Sequence, residues 1–206
     1  DDHAIVRDGL RLLLESEGDI LVVGEATNGT EAVAKARELA PDIVIMDVAM
    51  PELNGIEAVR EIRRCCPQAS SLILSMYATA EHVYRAFEAG ACGYVLKESA
   101  GREVVQAVRE LREGKRFLSS KIGGSVMEEF ARNQGAKTSP LEKLSSRERE
   151  VMQLVVEGWS SSKIAQRLCL SQKTVETYRS RLMNKLGVQG LPDLVRFAIR
   201  HRITVE

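Results

Sequence analysis

The 206-residue sequence predicts an α/β unit built on an open parallel sheet, followed by a small all-α unit. Short apolar runs alternate with amphipathic helical segments through the first half, which is typical of βαβ units. Residues 132–140 are almost devoid of apolar side chains and hold glycine, serine and proline together, which predicts a linker. After this linker only helical patterns remain.

Apolar periodicity places the elements of the first half in order. Helices are predicted over residues 4–14, 29–39, 56–64, 81–89 and 102–112, and strands over 20–23, 43–46, 72–74 and 94–96. No strand precedes the first helix, although Asp1 and Asp2 would naturally end one. We therefore expect a central strand before Asp1, so that the first strand of the sheet is missing.

In the second half, cap residues separate the apolar patterns, which predicts a series of helices. Residues 121–130 form a candidate connecting helix, and further helices are predicted over 145–156, 160–168, 171–186 and 191–200. Ser145 with Glu148 fits a reciprocal capping box, and the brief turn Cys169-Leu170 makes a helix-turn-helix. The predicted boundaries are a first domain at 1–116, a connecting segment at 117–140 and a second domain at 141–206.

The composition excludes several classes of protein. No stretch approaches the roughly 20 apolar residues that cross a bilayer, and the N-terminus is acidic where a secretory signal is basic, so a cytosolic location is expected. The four cysteines show neither metal-binding spacing nor a disulfide framework, and we interpret them as reduced structural thiols. None of the three histidines has a second ligand at helical spacing, which argues against a metal or nucleophilic role.

The net charge of +0 conceals an asymmetry between the two halves. Residues 1–118 carry 14 lysines and arginines against 20 aspartates and glutamates, whereas residues 119–206 carry 15 against 9. An acidic half joined to a basic half suggests domains with different partners, the second of them a polyanion. The simpler explanation of the asymmetry is that surface charge varies along a chain without a functional cause.

Several polar residues of the first half stand where a predicted strand ends. Asp47 follows a buried apolar run, Ser75 and Lys97 close the next two strands, and Asp1-Asp2 stand where an earlier strand would end. The carboxyl ends of parallel strands share one edge of a sheet, where ligands bind. These residues should therefore converge, with Asp47 as a candidate phosphoryl acceptor.

The helix-turn-helix favours DNA as the polyanion. Its helices carry six basic residues against the single acid Glu176, which suits neutralisation of phosphates. A solvated pair of amphipathic helices is the plainer alternative. The candidate DNA-binding residues are Lys163, Lys173, Thr174, Glu176, Thr177, Ser180, Arg181 and Lys185.

The last predicted helix has an apolar stripe with two interpretations. Its spacing of i, i+3, i+4 and i+7 suits completion of a small core. Dimerisation is the alternative, because a DNA reader with one helix gains affinity and site length by two-fold pairing. The stripe consists of Leu191, Leu194, Val195 and Ala198.

Motifs over nearly the whole chain resemble those of two-component response regulators of the NarL/FixJ type. They are Asp1-Asp2-His3, Asp47 with Met50-Pro51 and Asn54-Gly55, Gly93-Tyr94-Val95-Leu96-Lys97, Leu144-Ser145-x-Arg147-Glu148 and Lys173-Thr174-Val175-Glu176. The resemblance implies a flavodoxin-like receiver domain followed by a LuxR-type helix-turn-helix domain. It also implies a transcription regulator that dimerises when a sensor histidine kinase phosphorylates it.

The resemblance assigns roles to the strand-end residues. Asp47 would be the phosphorylated aspartate, and Asp1, Asp2, Asp47 and the backbone carbonyl of Ala49 would hold Mg²⁺. Ser75 would bond the phosphoryl group, Lys97 would pair with it, and Tyr94 would be an aromatic switch. Activity beyond phosphorylation and dephosphorylation of Asp47 is not expected.

Two other functions compete with this one. Haloacid-dehalogenase-like phosphatases also place a nucleophilic aspartate at a strand end, but carry a second acid two residues later. Ala49 stands at that place and offers no general acid, which argues against a phosphatase. A binding module regulated without phosphate is the third hypothesis, and the intact acidic pair, Ser75 and Lys97 argue against it.

Overall fold

The computed structural model describes residues 1–123 and 140–201. The chain divides into two compact units, Asp1–Ala136 and Lys137–Glu206. Most of the predicted connecting helix and nearly all of the predicted linker lie outside the described residues. Within the described part of the chain, no helix is both long and apolar enough to cross a membrane.

The first unit alternates helices with strands, which confirms the predicted α/β architecture. Its helices are α1 (Ala4–Glu15), α2 (Gly29–Leu39), α3 (Gly55–Cys65), α4 (Ala80–Ala89) and α5 (Ala100–Arg112). Its strands are β1 (Ile43–Asp47), β2 (Ser70–Ser75), β3 (Gly93–Leu96) and β4 (Phe117–Leu118). A 3₁₀ turn at Lys97–Ser99 connects β3 to α5.

The strands form one parallel sheet in the order β1-β2-β3-β4. Alternate residues of β2 enter different apolar clusters, since Ile73 packs with α2, α3 and α4 whereas Leu72 and Leu74 pack with α1 and α5. Tyr94 and Val95 of β3 divide in the same way. Both faces of the sheet are therefore covered by helices, as parallel sheets require.

The prediction of a strand at residues 20–23 is wrong. These residues are not part of the described sheet, and Leu21 is 79% exposed. A strand needs a neighbour for its ladder hydrogen bonds, and no described segment pairs with this one. A cavity of about 500 Å³ lies between residues 20–26 and β1. A strand before Asp1 stays a prediction.

The first unit also extends beyond the predicted boundary at residue 116. β4, assigned in the sequence to the connecting segment, pairs with β3 through Phe117 opposite Gly93 and Leu118 opposite Tyr94. Residues 120–123 are helical, and Ile122 is fully buried in the core of this unit. A two-residue strand is too short for an alternating pattern to reveal it.

The described residues of the second unit, 140–201, form helices and turns without a strand, as predicted. Its helices are α6 (Ser146–Val156), α7 (Ser161–Arg167), α8 (Gln172–Leu186) and α9 (Leu191–Arg200), after a 3₁₀ turn at Pro140–Lys143. Ser145 and Glu148 form both halves of the predicted capping box. Ser160 and Ser171 cap α7 and α8 by accepting hydrogen bonds from backbone N–H groups. These local bonds explain the agreement of the helix starts with the sequence.

Candidate phosphoryl-acceptor pocket and nucleic-acid interface

The carboxyl edge of the sheet brings together residues from distant parts of the first unit. Asp47 is the last residue of β1, Ser75 is the last of β2, and Lys97 follows β3 directly. The register places Asp47 opposite Leu74 and Ser75 opposite Leu96. We call the group Asp1, Asp2, Asp47, Ser75 and Lys97 the strand-end pocket.

Asp47 is held at the base of this pocket. It is only 4% exposed, and its Oδ2 accepts a hydrogen bond of 2.6 Å from Lys97 Nζ. Its Oδ1 accepts a longer bond of 3.3 Å from the backbone N–H of Ala49. Gly55 lies against the Asp47 carbonyl, where an added Cβ would stand 1.8 Å from the oxygen. Only glycine permits this approach, which explains the Asn54-Gly55 pair that the sequence showed.

Lys97 joins two carboxylates that are far apart in the sequence, those of Asp1 and Asp47. Its Nζ lies 2.8 Å from Asp1 Oδ2 as well as 2.6 Å from Asp47 Oδ2. The side chain of Asp1 is 4% exposed and that of Lys97 is 15% exposed. Charges so far removed from water interact strongly, and one lysine faces an excess of carboxylate charge.

The donor set of the pocket suits a small hard cation. One oxygen of each of Asp1, Asp2 and Asp47 lies within 4.8 Å of the others, together with a nitrogen of His3. Carboxylate oxygens are the ligands that Mg²⁺ prefers, and relief of their mutual repulsion favours a cation there. The residues present therefore fit Mg²⁺.

His3 is a member of this group that the sequence argument set aside. Its Nδ1 lies 2.8 Å from Asp2 Oδ1 and 3.4 Å from Asp1 Oδ1, while 59% of its side chain is exposed. Helical spacing does not reveal this grouping, because Asp1 and Asp2 immediately precede His3 in the sequence. The His3 imidazole therefore lies at the rim of the carboxylate group.

Ser75 and Tyr94 meet at the backbone of Tyr77. The Oγ of the fully buried Ser75 accepts a 3.1 Å hydrogen bond from the Tyr77 N–H, and the Tyr94 hydroxyl donates a 2.8 Å bond to the Tyr77 carbonyl. Burial raises the pKa of Tyr94 to about 12, with the charge of Asp47 also raising it. Tyr94 is therefore a protonated donor at neutral pH, and it is fully buried.

The second unit presents polar residues of α8 to solvent. Val175 and Leu182 are fully buried in its core, whereas Lys173, Glu176, Thr177, Ser180 and Arg181 are exposed. Lys163 of α7 is exposed as well. The helix-turn-helix thus presents basic and hydrogen-bonding side chains on α8 and a further basic side chain on α7.

Three of the predicted DNA-binding side chains make hydrogen bonds within the helix. The Thr174 hydroxyl lies 2.7 Å from that of Ser171, and the Thr177 hydroxyl donates to the Lys173 carbonyl at 2.9 Å. Glu176 accepts a bond of 3.3 Å from Gln172. Such local bonds orient side chains at the start of the helix.

Lys185 has a partner that the sequence did not indicate. Its Nζ donates a 2.6 Å hydrogen bond to Oε2 of Glu148, whose side chain is only 4% exposed. Burial opposes ionisation of Glu148, but the bonds from Lys185 and Ser145 outweigh it and lower the pKa of Glu148. Lys185 therefore links α8 to the start of α6.

Two arginines that the site predictions omitted or left unassigned fix the neighbouring helices. Arg147 of α6 donates to the Leu168 carbonyl at 2.5 Å, where α7 ends. Arg179 of α8 donates to the Ser161 hydroxyl at 2.9 Å. No spacing rule identifies such contacts, because they join residues 21 and 18 positions apart.

The apolar stripe on α9 belongs largely to the core, which corrects its interpretation as a dimer surface. Leu194 and Ala198 are fully buried against α6 and its neighbours, so neither can meet a second copy. Leu191 is 43% exposed and Val195 is half-buried. Only these two remain as candidate dimer contacts.

Two family models match the chain. The response regulator receiver domain matches residues 1–109, and the luxR family of bacterial regulatory proteins matches residues 142–198. The two matches coincide with the α/β unit and the helical unit.

Two similar proteins cover nearly the full length of the chain, and a third covers about two thirds of it. Oxygen regulatory protein NreC of Staphylococcus aureus is 34% identical over 98% of this chain and 96% of its own. RcsB of Salmonella typhimurium, solved in work on its interaction with DNA, is 28% identical over 97% of this chain and 95% of its own, with a TM-score of 0.60. A LuxR-family two-component response regulator from Aurantimonas is 44% identical over 64% of this chain and 94% of its own, with a TM-score of 0.61.

Proposed function

Because the chain belongs to the two-component response regulators that join a receiver domain to a LuxR-type DNA-binding domain, we propose that phosphorylation of Asp47 switches its binding to DNA. The observation that carries the proposal is the placement of Lys97 Nζ, 2.6 Å from Asp47 and 2.8 Å from Asp1. A buried carboxylate at a strand end, with a cation beside it, is placed to accept an anionic group. The family consists of DNA-binding regulators rather than enzymes.

Transfer uses the Asp47 carboxylate as nucleophile. One of its oxygens attacks the phosphorus of a phosphohistidine on a sensor kinase, and the bond from phosphorus to the histidine nitrogen breaks. Lys97 then exchanges one carboxylate partner for a phosphoryl oxygen. Its positive charge offsets the repulsion between the incoming phosphoryl group and the pocket.

The carboxylates of Asp1, Asp2 and Asp47, with the backbone carbonyl of Ala49, would hold Mg²⁺. When bound, this ion supplies positive charge to the phosphoryl oxygens as they approach the carboxylates. The close grouping of the three carboxylates supports this assignment.

The switch runs through Tyr77, because both Ser75 and Tyr94 bond to its backbone. In the phosphorylated protein the Ser75 hydroxyl donates to a phosphoryl oxygen and its orientation changes. The segment at Tyr77 then moves with Ser75. The Tyr94 hydroxyl loses its bond to the Tyr77 carbonyl and donates to a different acceptor. A local charge change is thereby converted into a movement of the chain between β2 and α4.

On DNA, Lys163, Lys173, Arg181 and Lys185 would neutralise phosphates. Thr174, Glu176, Thr177 and Ser180 lie on the part of α8 that would face base edges in the major groove. Pairing of two copies would add a second half-site, with Leu191 and Val195 as the surface residues of α9 available to it. Interaction of RcsB with DNA supports this part of the proposal by homology.

The test combines intact mass with DNA binding. The parent protein and Asp47→Asn are incubated with acetyl phosphate and Mg²⁺, and Asp42→Asn is the matched control because Asp42 is exposed at the other end of β1. We expect a phosphoryl adduct on the parent and control but not on Asp47→Asn. Affinity for a DNA site selected from a random pool should then rise only in proteins that carry the adduct.

Each competing function predicts a different outcome. An adduct that persists in Asp47→Asn would place the acceptor elsewhere and contradict the proposal. Repeated turnover of a simple phosphoester by the parent would favour a phosphatase. DNA affinity that is the same in the parent and in Asp47→Asn, with and without the adduct, would favour regulation without phosphate.

A further inference from the structure

A thiol pair lies at the end of α3, away from the strand-end pocket. The Sγ atoms of Cys65 and Cys66 are 3.6 Å apart, and both residues are half-buried. Arg37, on the last turn of α2, is the cation that acts on the Cys65 thiol. Because α3 starts near Asp47 and runs away from it for about 16 Å, this pair is at the opposite edge of the sheet.

Arg37 favours the ionised form of Cys65. Burial and the partial negative charge at a helix C-terminus both oppose a thiolate at this position. The hydrogen bond from Arg37, its charge and the bond from Cys66 outweigh burial and lower the pKa of Cys65. The same neighbourhood raises the pKa of Cys66, through burial first and then through Cys65. One thiol is thus disposed to be the thiolate and its neighbour the thiol.

We propose that Cys65 is a peroxide-reactive cysteine and that Cys66 is its resolving partner. In the first step the Cys65 thiolate attacks one oxygen of hydrogen peroxide, the O–O bond breaks, and sulfenic acid and hydroxide form. In the second step the Cys66 sulfur attacks the Cys65 sulfur, a disulfide forms, and the sulfenic oxygen leaves as water with the thiol proton. Peroxide is the oxidant of the first step, and no further co-reactant is needed.

The resulting disulfide is easily reduced. Adjacent Cα atoms are about 3.8 Å apart across a trans peptide, below the roughly 4.4 Å at which ordinary disulfides begin. Strained disulfides have higher reduction potentials and are the labile ones. A small thiol therefore returns the pair to its reduced state, as a reversible modification site requires.

The chain offers a matched internal reference. Cys169 is exposed, and none of its described contacts joins its thiol to a cation or a second thiol. The experiment treats the full-length protein with hydrogen peroxide and a 1,3-dione that traps sulfenic acid, and follows each cysteine by peptide mass. In Cys66→Ser, we expect Cys65 to be trapped at least about threefold faster than Cys169, since thiolate character controls the rate. In the parent, Cys65 should form the disulfide with Cys66 instead, and dithiothreitol should reverse it.

Variants of Arg37 separate the electrostatic effect from structural change. Arg37 is exposed on α2, so its replacement leaves the core intact. In a Cys66→Ser background, Arg37→Gln should slow trapping of Cys65, whereas Arg37→Lys should retain most of the rate. Trapping of Cys169 at an equal or faster rate would overturn the proposal, as would equal rates for Arg37→Gln and Arg37→Lys. Sulfenic acid that accumulates on Cys65 of the parent without a disulfide would overturn the role of Cys66.

Discussion

The strand-end pocket and the exposed side of α8 carry their charges in opposite ways. In the pocket, Asp1, Asp47 and Lys97 come from distant parts of the unit and are almost wholly buried. On α8, Lys173 and Arg181 come from one helix and stand in solvent. Burial makes each charge in the pocket depend on its partners, whereas solvent screens the charges on α8 from one another.

Mutations in the two regions should therefore differ: their effects depend on one another in the pocket and add independently on α8. Removal of one group from the pocket leaves a buried charge without compensation. Removal of one cation from α8 takes away one phosphate contact and leaves the helix intact.

Lys97→Met should lower the free energy of unfolding of the first unit by about 2 kcal/mol, because Asp1 and Asp47 lose the cation between them. Added Mg²⁺ should restore more stability to this variant than to the parent. Urea denaturation with and without Mg²⁺ measures both effects. The control is Lys121→Met, whose partner Glu98 is exposed. Equal loss in the two variants would remove the distinction between buried and exposed charge.

Arg181→Gln should weaken DNA binding by about 1.4 kcal/mol, or tenfold, at low salt, and should reduce the dependence of log K on log salt by about one unit. Fluorescence anisotropy over a salt series measures both quantities. Arg196→Gln is the control, since Arg196 lies on α9 and pairs with Asp193. An unchanged salt dependence in Arg181→Gln would exclude a phosphate contact.

Glu148→Gln should cost the second unit about 1 kcal/mol at pH 7, because the ion pair with Lys185 becomes a hydrogen bond to an uncharged amide. The lowered pKa of Glu148 means that its stabilisation is present above its ordinary value of 4.5 and is lost as pH falls through the folded-state value. The difference in stability between the parent and the variant should therefore shrink as the solution is acidified below about pH 4.5. Thermal unfolding at a series of pH values checks this, with Glu176→Gln as the exposed control.

Tyr94→Phe should have the smallest effect, about 0.5 kcal/mol, since it removes one neutral hydrogen bond and leaves the ring in place. Its larger consequence should be functional, because the adduct would form at Asp47 without a full rise in DNA affinity. Tyr84→Phe, on the exposed part of α4, is the control. A normal response in Tyr94→Phe would exclude its hydroxyl from the switch.

The sequence predicted most of the elements because their signals are local. Helix α2 starts and ends where its periodicity predicted, and the capping serines of the second unit start its helices within one residue. The strand predicted at residues 20–23 and the missed β4 were the failures in the first unit. A strand exists only with a hydrogen-bonded neighbour, and nothing within residues 20–23 or 117–118 reports whether one is present.

For the sites, the sequence by itself determined which residues end the strands and which stand on α8. It therefore placed Asp47, Ser75 and Lys97 at one edge, since parallel strands share their carboxyl ends. Only the tertiary structure decided that Lys97 lies between Asp1 and Asp47, that Lys185 pairs with Glu148, and that Leu194 is core. The physical reason is range: periodicity and capping act over about four residues, whereas burial and ion pairing depend on groups that only folding brings together.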